Sequence, residues 1–218
     1  MRNPWKYLLF FITILMAIQI QSCHKEQKKS AEFPGETNLS DTSILSDTSL
    51  FYDITIDGQR EFQVSLQNGY GIYWDGGAGC PPPLNKPVKF SSGIAGHVKD
   101  FRFTKGPLFY TVADTAFPIC KQKKFNFFPP GNYAFTDAVT ADGVSLRWVD
   151  ANGTEWSTSY GIADQTGSNF TITESIPGPD PSFYEGIALR AVFNCRLYDK
   201  NGHSNQLING RFRLSMWL

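Results

Sequence analysis

Two alternating runs meet at Asp57-Gly58 in LFYDITIDGQREFQVSL, residues 50–66, and this hairpin signal constrains the chain more than any other feature. An Asp-Gly pair supplies the positive φ angles of a tight turn, and apolar and polar residues alternate on either side with the period of a strand. The pattern returns in VSLRWVDANGTEWST around Asn152-Gly153, where Val144, Leu146 and Trp148 share one face and Ser145, Arg147 and Val149 the other. It returns once more near the C-terminus. There GIALRAVFNCRLYD runs to Lys200-Asn201-Gly202-His203 and QLINGRFRLSMWL comes back. Shorter strands are expected over 71–74, 98–104, 108–113, 133–136 and 169–176, and no stretch of ten or more residues carries helical periodicity. The 18 Phe, 9 Tyr, 5 Trp, 19 Gly and 13 Pro favour strands and turns over helices. The expected fold is all-β: an antiparallel β-sandwich, with an open or closed β-barrel as the alternative that strand spacing barely separates from it.

Before residue 51 the sequence changes character. Arg2 and Lys6 precede an apolar run that ends ILMAIQIQSC at Cys23. A charged start, a short apolar stretch and a small residue before the cut describe a secretory signal. A cysteine directly after that cut resembles a bacterial lipobox, with Gln21 standing where a small residue is usual. The reading is a lipoprotein signal peptide over 1–22 and a lipidated Cys23, carrying diacylglycerol and a fatty acyl group such as palmitate. An uncleaved anchor or an ordinary signal peptide is the alternative, although the run is short for a span of about 20 residues. Residues 23–50 then form the lipidated cysteine and a flexible tether with the repeat LSDTS at 39–43 and 45–49, too polar to fold alone. Residues 51–218 remain for a single all-β domain. Removing Arg2 and Lys6 leaves 18 basic against 20 acidic residues, so no basic excess points to nucleic acid.

The C-terminal third carries Thr171-Ile172-Thr173, the run Phe193 to Gly202, and Asn209-Gly210-Arg211-Phe212. Together, over residues 154–213, these pieces resemble a group of Bacteroidetes lipoproteins with an all-β domain of unknown function. The resemblance implies a membrane-tethered β domain in the bacterial cell envelope. The lipid would hold it at the outer membrane, facing the periplasm or the surface. It brings no catalytic residues.

For chemistry, the best cluster is GYGIYWDGGAGC, residues 69–80. Tyr70, Tyr73 and Trp74 offer flat rings with polar tips, Asp75 a carboxylate and the glycines close backbone approach; sugars need these groups. The competing reading is an ordinary strand whose aromatics enter the core, though Tyr73 and Trp74 point to opposite faces and cannot both do so. With Cys23 assigned to lipid, three cysteines remain. Cys195 lies on a strand face with Phe193 and Leu197 and is expected to be buried; Cys80 and Cys120 sit in Pro-containing loops and are a candidate disulfide. Asp150-Ala151-Asn152-Gly153 and Asp199-Lys200-Asn201-Gly202 echo calcium loops but lack their completion, so they read as turns. No catalytic residue, metal site or cofactor is assigned. The chain reads as a membrane-anchored lipoprotein with a non-catalytic binding domain for glycans. A protein-interaction or envelope-assembly module is the alternative, and a hydrolase a weaker one.

Overall fold

Asp57 and Gly58 both adopt positive φ, 47° and 80°, and close a two-residue turn between β1 (Phe51–Ile56) and β2 (Gln59–Val64). The structure is a computed structural model that describes residues 49–76, 80, 82–138, 140–177 and 186–217. The expected signal peptide over 1–22, the expected lipidation site Cys23 and the expected tether as far as residue 48 lie outside the described residues.

Nine further strands follow: β3 (Gly71–Gly76), β4 (Val88–Ala95), β5 (Asp100–Leu108), β6 (Gly131–Asn132), β7 (Gly143–Val149), β8 (Glu155–Ser157), β9 (Asn169–Pro177), β10 (Gly186–Tyr198) and β11 (Ser204–Trp217). Among the described residues one short α-helix, α1 (Ile119–Phe125), interrupts them. All named strand pairs are antiparallel, in the order β2-β1-β11-β10-β8-β7-β5-β4-β3, with β9 also on β10 and β6 on β9. The sheet folds over at β10, which pairs with β9 along most of its length and with β8 at Tyr198. Two layers therefore face each other without closing into a barrel, and the fold is an antiparallel β-sandwich.

Phenylalanine fills the gap between the layers. Phe103 of β5 stacks on Phe170 of β9 at 5.4 Å and meets Phe212 of β11 at 5.2 Å; Phe101 stacks on Tyr52 of β1 at 4.9 Å. These rings are all but inaccessible to solvent, and burial of each side chain stabilises the fold by about 1.5–3 kcal/mol. The core draws on residues from Tyr52 to Met216, so the compact unit 46–218 carries it whole.

Three local expectations differ from the outcome. Residues 108–113 form no strand of their own: β5 ends at Leu108, and Thr111 instead opens a 3₁₀ turn over Val112–Asp114. The Asp114 carboxylate accepts hydrogen bonds from both the Thr111 N–H and its hydroxyl at 2.7 Å, which favours the turn over extension. Residues 133–136 make only an isolated bridge at Phe135, beside the two-residue β6. β4 forms where Ser91-Ser92-Gly93 breaks the alternation: Ser91 bonds Thr104 Oγ1 at 2.8 Å and Ser92 donates to the Ser215 carbonyl at 2.5 Å. Hydroxyls at these buried positions are tolerated because each has a partner.

Candidate functional site

The tight turn dictates the register of the first hairpin. Ile56 pairs with Gln59, Ile54 with Glu61 and Tyr52 with Gln63. Residues directly opposite in an antiparallel pair share a face. Tyr52, Ile54 and Ile56 face the core, so Gln59, Glu61 and Gln63 point into the sandwich. Phe62 and Val64 share the outer face with Phe51, where Phe62 lies 6.0 Å from Phe51 and under the Arg60 guanidinium at 5.8 Å. The polar side of β2 is thus the inner one.

The result is a cleft of about 480 Å³ at the end of the sandwich where the β1–β2 turn, the start of β5, the end of β7 and the start of β11 meet. Its volume lies within the usual range for ligand sites. Glu61 is its hub. It accepts the Tyr52 hydroxyl at 2.5 Å, the Lys99 ammonium at 2.7 Å and, more distantly, the Trp148 indole N–H at 3.4 Å. Burial first, and then the Glu61 carboxylate, push the Tyr52 phenol far above its ordinary pKa, so it remains a donor. Asp150 adds a second carboxylate from the β7–β8 loop. Burial pushes that carboxyl up, but bonds from Trp156 Nε1 (3.1 Å) and the Thr154 (2.9 Å) and Asn152 (2.8 Å) amides outweigh it and hold it low. Gln59, Gln63 and Asn205 supply amides, while Arg60 lines the cleft with its guanidinium paired to Asp53.

The residues nominated from sequence divide between the two faces of β3. Tyr73 carries the Arg102 guanidinium over its ring at 3.7 Å, which occupies one aromatic face. Trp74 points to the opposite side, half-exposed, and donates its indole N–H to the Ser215 carbonyl at 3.0 Å. Asp75 is exposed near the end of β3. Tyr70 alone approaches the cleft: its ring leans on Gly96, and burial, then the Glu61 charge, raise its phenol pKa. Sequence reasoning missed Glu61, Lys99, Gln59 and Gln63 as a group, although the Asp57-Gly58 turn and the apolar face of β1 together imply which side of β2 turns inward.

Cys80 and Cys120 are bridged, with Cα atoms 6.0 Å apart. Cys195 is free and buried, and burial raises its thiol pKa, so it is not poised as a nucleophile. The two Asp-x-Asn-Gly segments are three-residue bulged hairpin loops with a positive-φ Gly153 and Gly202. In each, the aspartate turns back on its own loop: Asp199 accepts the Asn201 and His203 amides at 2.8 Å, as Asp150 accepts those of Asn152 and Thr154. Among the described residues no group of three His, Cys, Asp or Glu is placed to hold a metal ion. Lys105 is an unexpected tenant of the core side of β5. Its ammonium sits 3.9 Å from the Phe127 ring and 4.6 Å from Tyr133, with Asp142 at 3.2 Å, and burial lowers its pKa against the pull of Asp142. With this geometry in hand, comparison with protein-family models, curated proteins and solved structures finds no match to the chain.

Proposed function

We propose that this chain is a lipid-anchored envelope protein of the Bacteroidetes type whose sandwich binds a glycan, without catalysis, in the Glu61 cleft. The carrying observation is the composition of that cleft. Carboxylates, amides and cations line it together with Trp148, Phe62 and Ile56, a mixed set that suits a ligand with both hydroxyls and apolar ring faces. Glycoside hydrolysis needs one carboxyl kept protonated as a general acid. Asp150 is held below its usual range, and Glu61 is engaged as an acceptor by Tyr52 and Lys99. That arrangement favours recognition over bond cleavage.

Calorimetric titration of the compact unit 46–218 against a panel of polysaccharides tests the binding reading. We expect at least one glycan to bind, with a loss of tenfold or more in Glu61→Gln and no loss in Trp74→Ala. Silence across a broad panel, or binding indifferent to Glu61, removes the proposal. The anchor has a separate test: Cys23→Ala should abolish fatty-acid labelling and release the protein from membranes, and a mutant that stays acylated refutes the lipid site.

A further inference from the structure

Half of the exposed large apolar side chains among the described residues belong to one lobe. Within residues 109–119 stand Phe109 (52% exposed), Val112 (75%), Phe117 (70%) and Ile119 (51%), and Leu84 (41%) joins them from the preceding loop. These residues do not hang on slack chain. The Cys80–Cys120 bridge ties the loop at 80 to α1, the Asn85 amide reaches the Tyr110 carbonyl at 3.5 Å, and Lys123 binds Asp114 at 2.6 Å. Tyr110 and Cys120 are buried beneath. Water-facing apolar residues on a pinned scaffold usually mark an interaction surface.

Charge says what kind. Residues 80–90 and 109–130 hold five lysines (86, 89, 121, 123 and 124) and one acid, Asp114, in a chain whose 20 basic and 20 acidic residues balance. Lys124 is buried and Lys123 is paired to Asp114, so the charge offered to solvent comes from the exposed Lys86 and Lys89 and the half-buried Lys121. Apolar side chains framed by lysines fit a bilayer surface: the former enter the boundary of headgroups and acyl chains, and the latter meet anionic headgroups. We propose that the lobe at 80–90 and 109–130 is a membrane-docking surface for anionic phospholipid. The inference rests on the lipid-anchor reading, because Cys23 and the 26 residues 24–49, a polar stretch of roughly 25–30 Å in root-mean-square reach if flexible, would keep the domain within range of the bilayer. A docked lobe would turn a loosely tethered domain into an oriented one.

The test uses the full chain reconstituted into vesicles of phosphatidylglycerol and phosphatidylethanolamine that contain a spin-labelled lipid. A bimane probe is attached at Phe117→Cys and, as a control, at Ile162→Cys, which is equally apolar and 82% exposed but lies outside the lobe. We expect quenching at 117 to exceed that at 162 at least threefold, to weaken in high salt, and to fall to the control level in a Lys86→Glu, Lys89→Glu background. Vesicle-bound protein with equal quenching at the two sites overturns the docking surface. So does a dimer in solution that Phe117→Ser dissolves, since the patch would then belong to a second copy. Protein that fails to float with vesicles at all indicts the Cys23 anchor instead, and flotation of the unit 46–218, which has no lipid, then decides docking alone: binding to anionic but not phosphatidylcholine vesicles sustains it, and none refutes it.

Discussion

Replacing Glu61 by leucine while Tyr52 becomes phenylalanine dissects the cleft. Tyr52 is fully buried and its hydroxyl meets Glu61 at 2.5 Å, so Glu61→Leu alone strands a buried donor. That costs about 1–3 kcal/mol. The lost ion pair to Lys99, whose side chain is 31% exposed, adds no more than about 1 kcal/mol. The single mutant should therefore lose about 1–4 kcal/mol in all. Tyr52→Phe alone removes a hydrogen bond to a carboxylate, about 1.5–3 kcal/mol. With both changed, neither group is left without its mate, and the double mutant should fall short of the sum by about 1.5 kcal/mol. Urea unfolding of the four proteins at neutral pH, read by fluorescence, gives the coupling directly. Additivity within about 0.5 kcal/mol would show that Tyr52 and Glu61 act independently and that the hub is misdescribed.

Other outcomes follow from the same structure. Phe212→Ala, at the meeting point of Phe101, Phe103, Phe170 and Phe193, should cost about 3–5 kcal/mol and lower the thermal midpoint by about 10 °C; a shift of a degree or two would mean that the ring cluster is loosely packed. Serine at both Cys80 and Cys120 opens a loop of 40 residues, and chain entropy puts the loss near 4 kcal/mol, measurable as a drop in unfolding free energy against the oxidised protein. Gly93→Ala drives a methyl into the Phe101 carbonyl oxygen of the neighbouring strand, so it should destabilise the domain, whereas alanine at the open Gly71 should not; equal stability of the two variants counts against the packing of β4 on β5. Acid should act through depressed carboxyls. Lys123, with Thr111, holds Asp114 at about 2, and Arg147, with Tyr160, holds Glu155 at about 2. Their folded pKa values lie below the unfolded ones, so their stabilisation is complete above the ordinary carboxylate range and drains away as pH falls from about 4 towards 2. A pH series of thermal midpoints that stays flat through that window contradicts the sign.

Much of the sandwich was legible because its signals are local. Asp57-Gly58 names its own turn, the Val144-Leu146-Trp148 stripe turns to the core as its period requires, and β10 and β11 form the expected C-terminal hairpin. β4 was not legible, since Ser91-Ser92-Gly93 lacks apolar alternation and is justified only by partners that other strands bring. The cleft was hidden for a different reason. Read by itself, QREFQV puts Phe62 and Val64 inside; only its pairing with β1 reverses the strand, and pairing outranks local preference once one face is fixed. The cluster at 70–75 drew attention by composition, but composition cannot say that Arg102 covers Tyr73 or that the Trp74 indole reaches β11.

The buried position of Cys195 bears on how the chain matures. The three thiols of Cys80, Cys120 and Cys195 can pair in three ways, and only one joins 80 to 120. While β10 is unpaired, Cys195 competes for either partner; once it is seated among Phe193 and Leu197, no oxidant reaches it. Collapse must therefore run ahead of oxidation if the right bridge is to dominate, and the core serves as a chaperone for cysteine chemistry. Oxidative refolding of the parent chain should accordingly pass through isomers bridged at Cys195 that Cys195→Ala cannot form, and acid-quenched alkylation at intervals would count them.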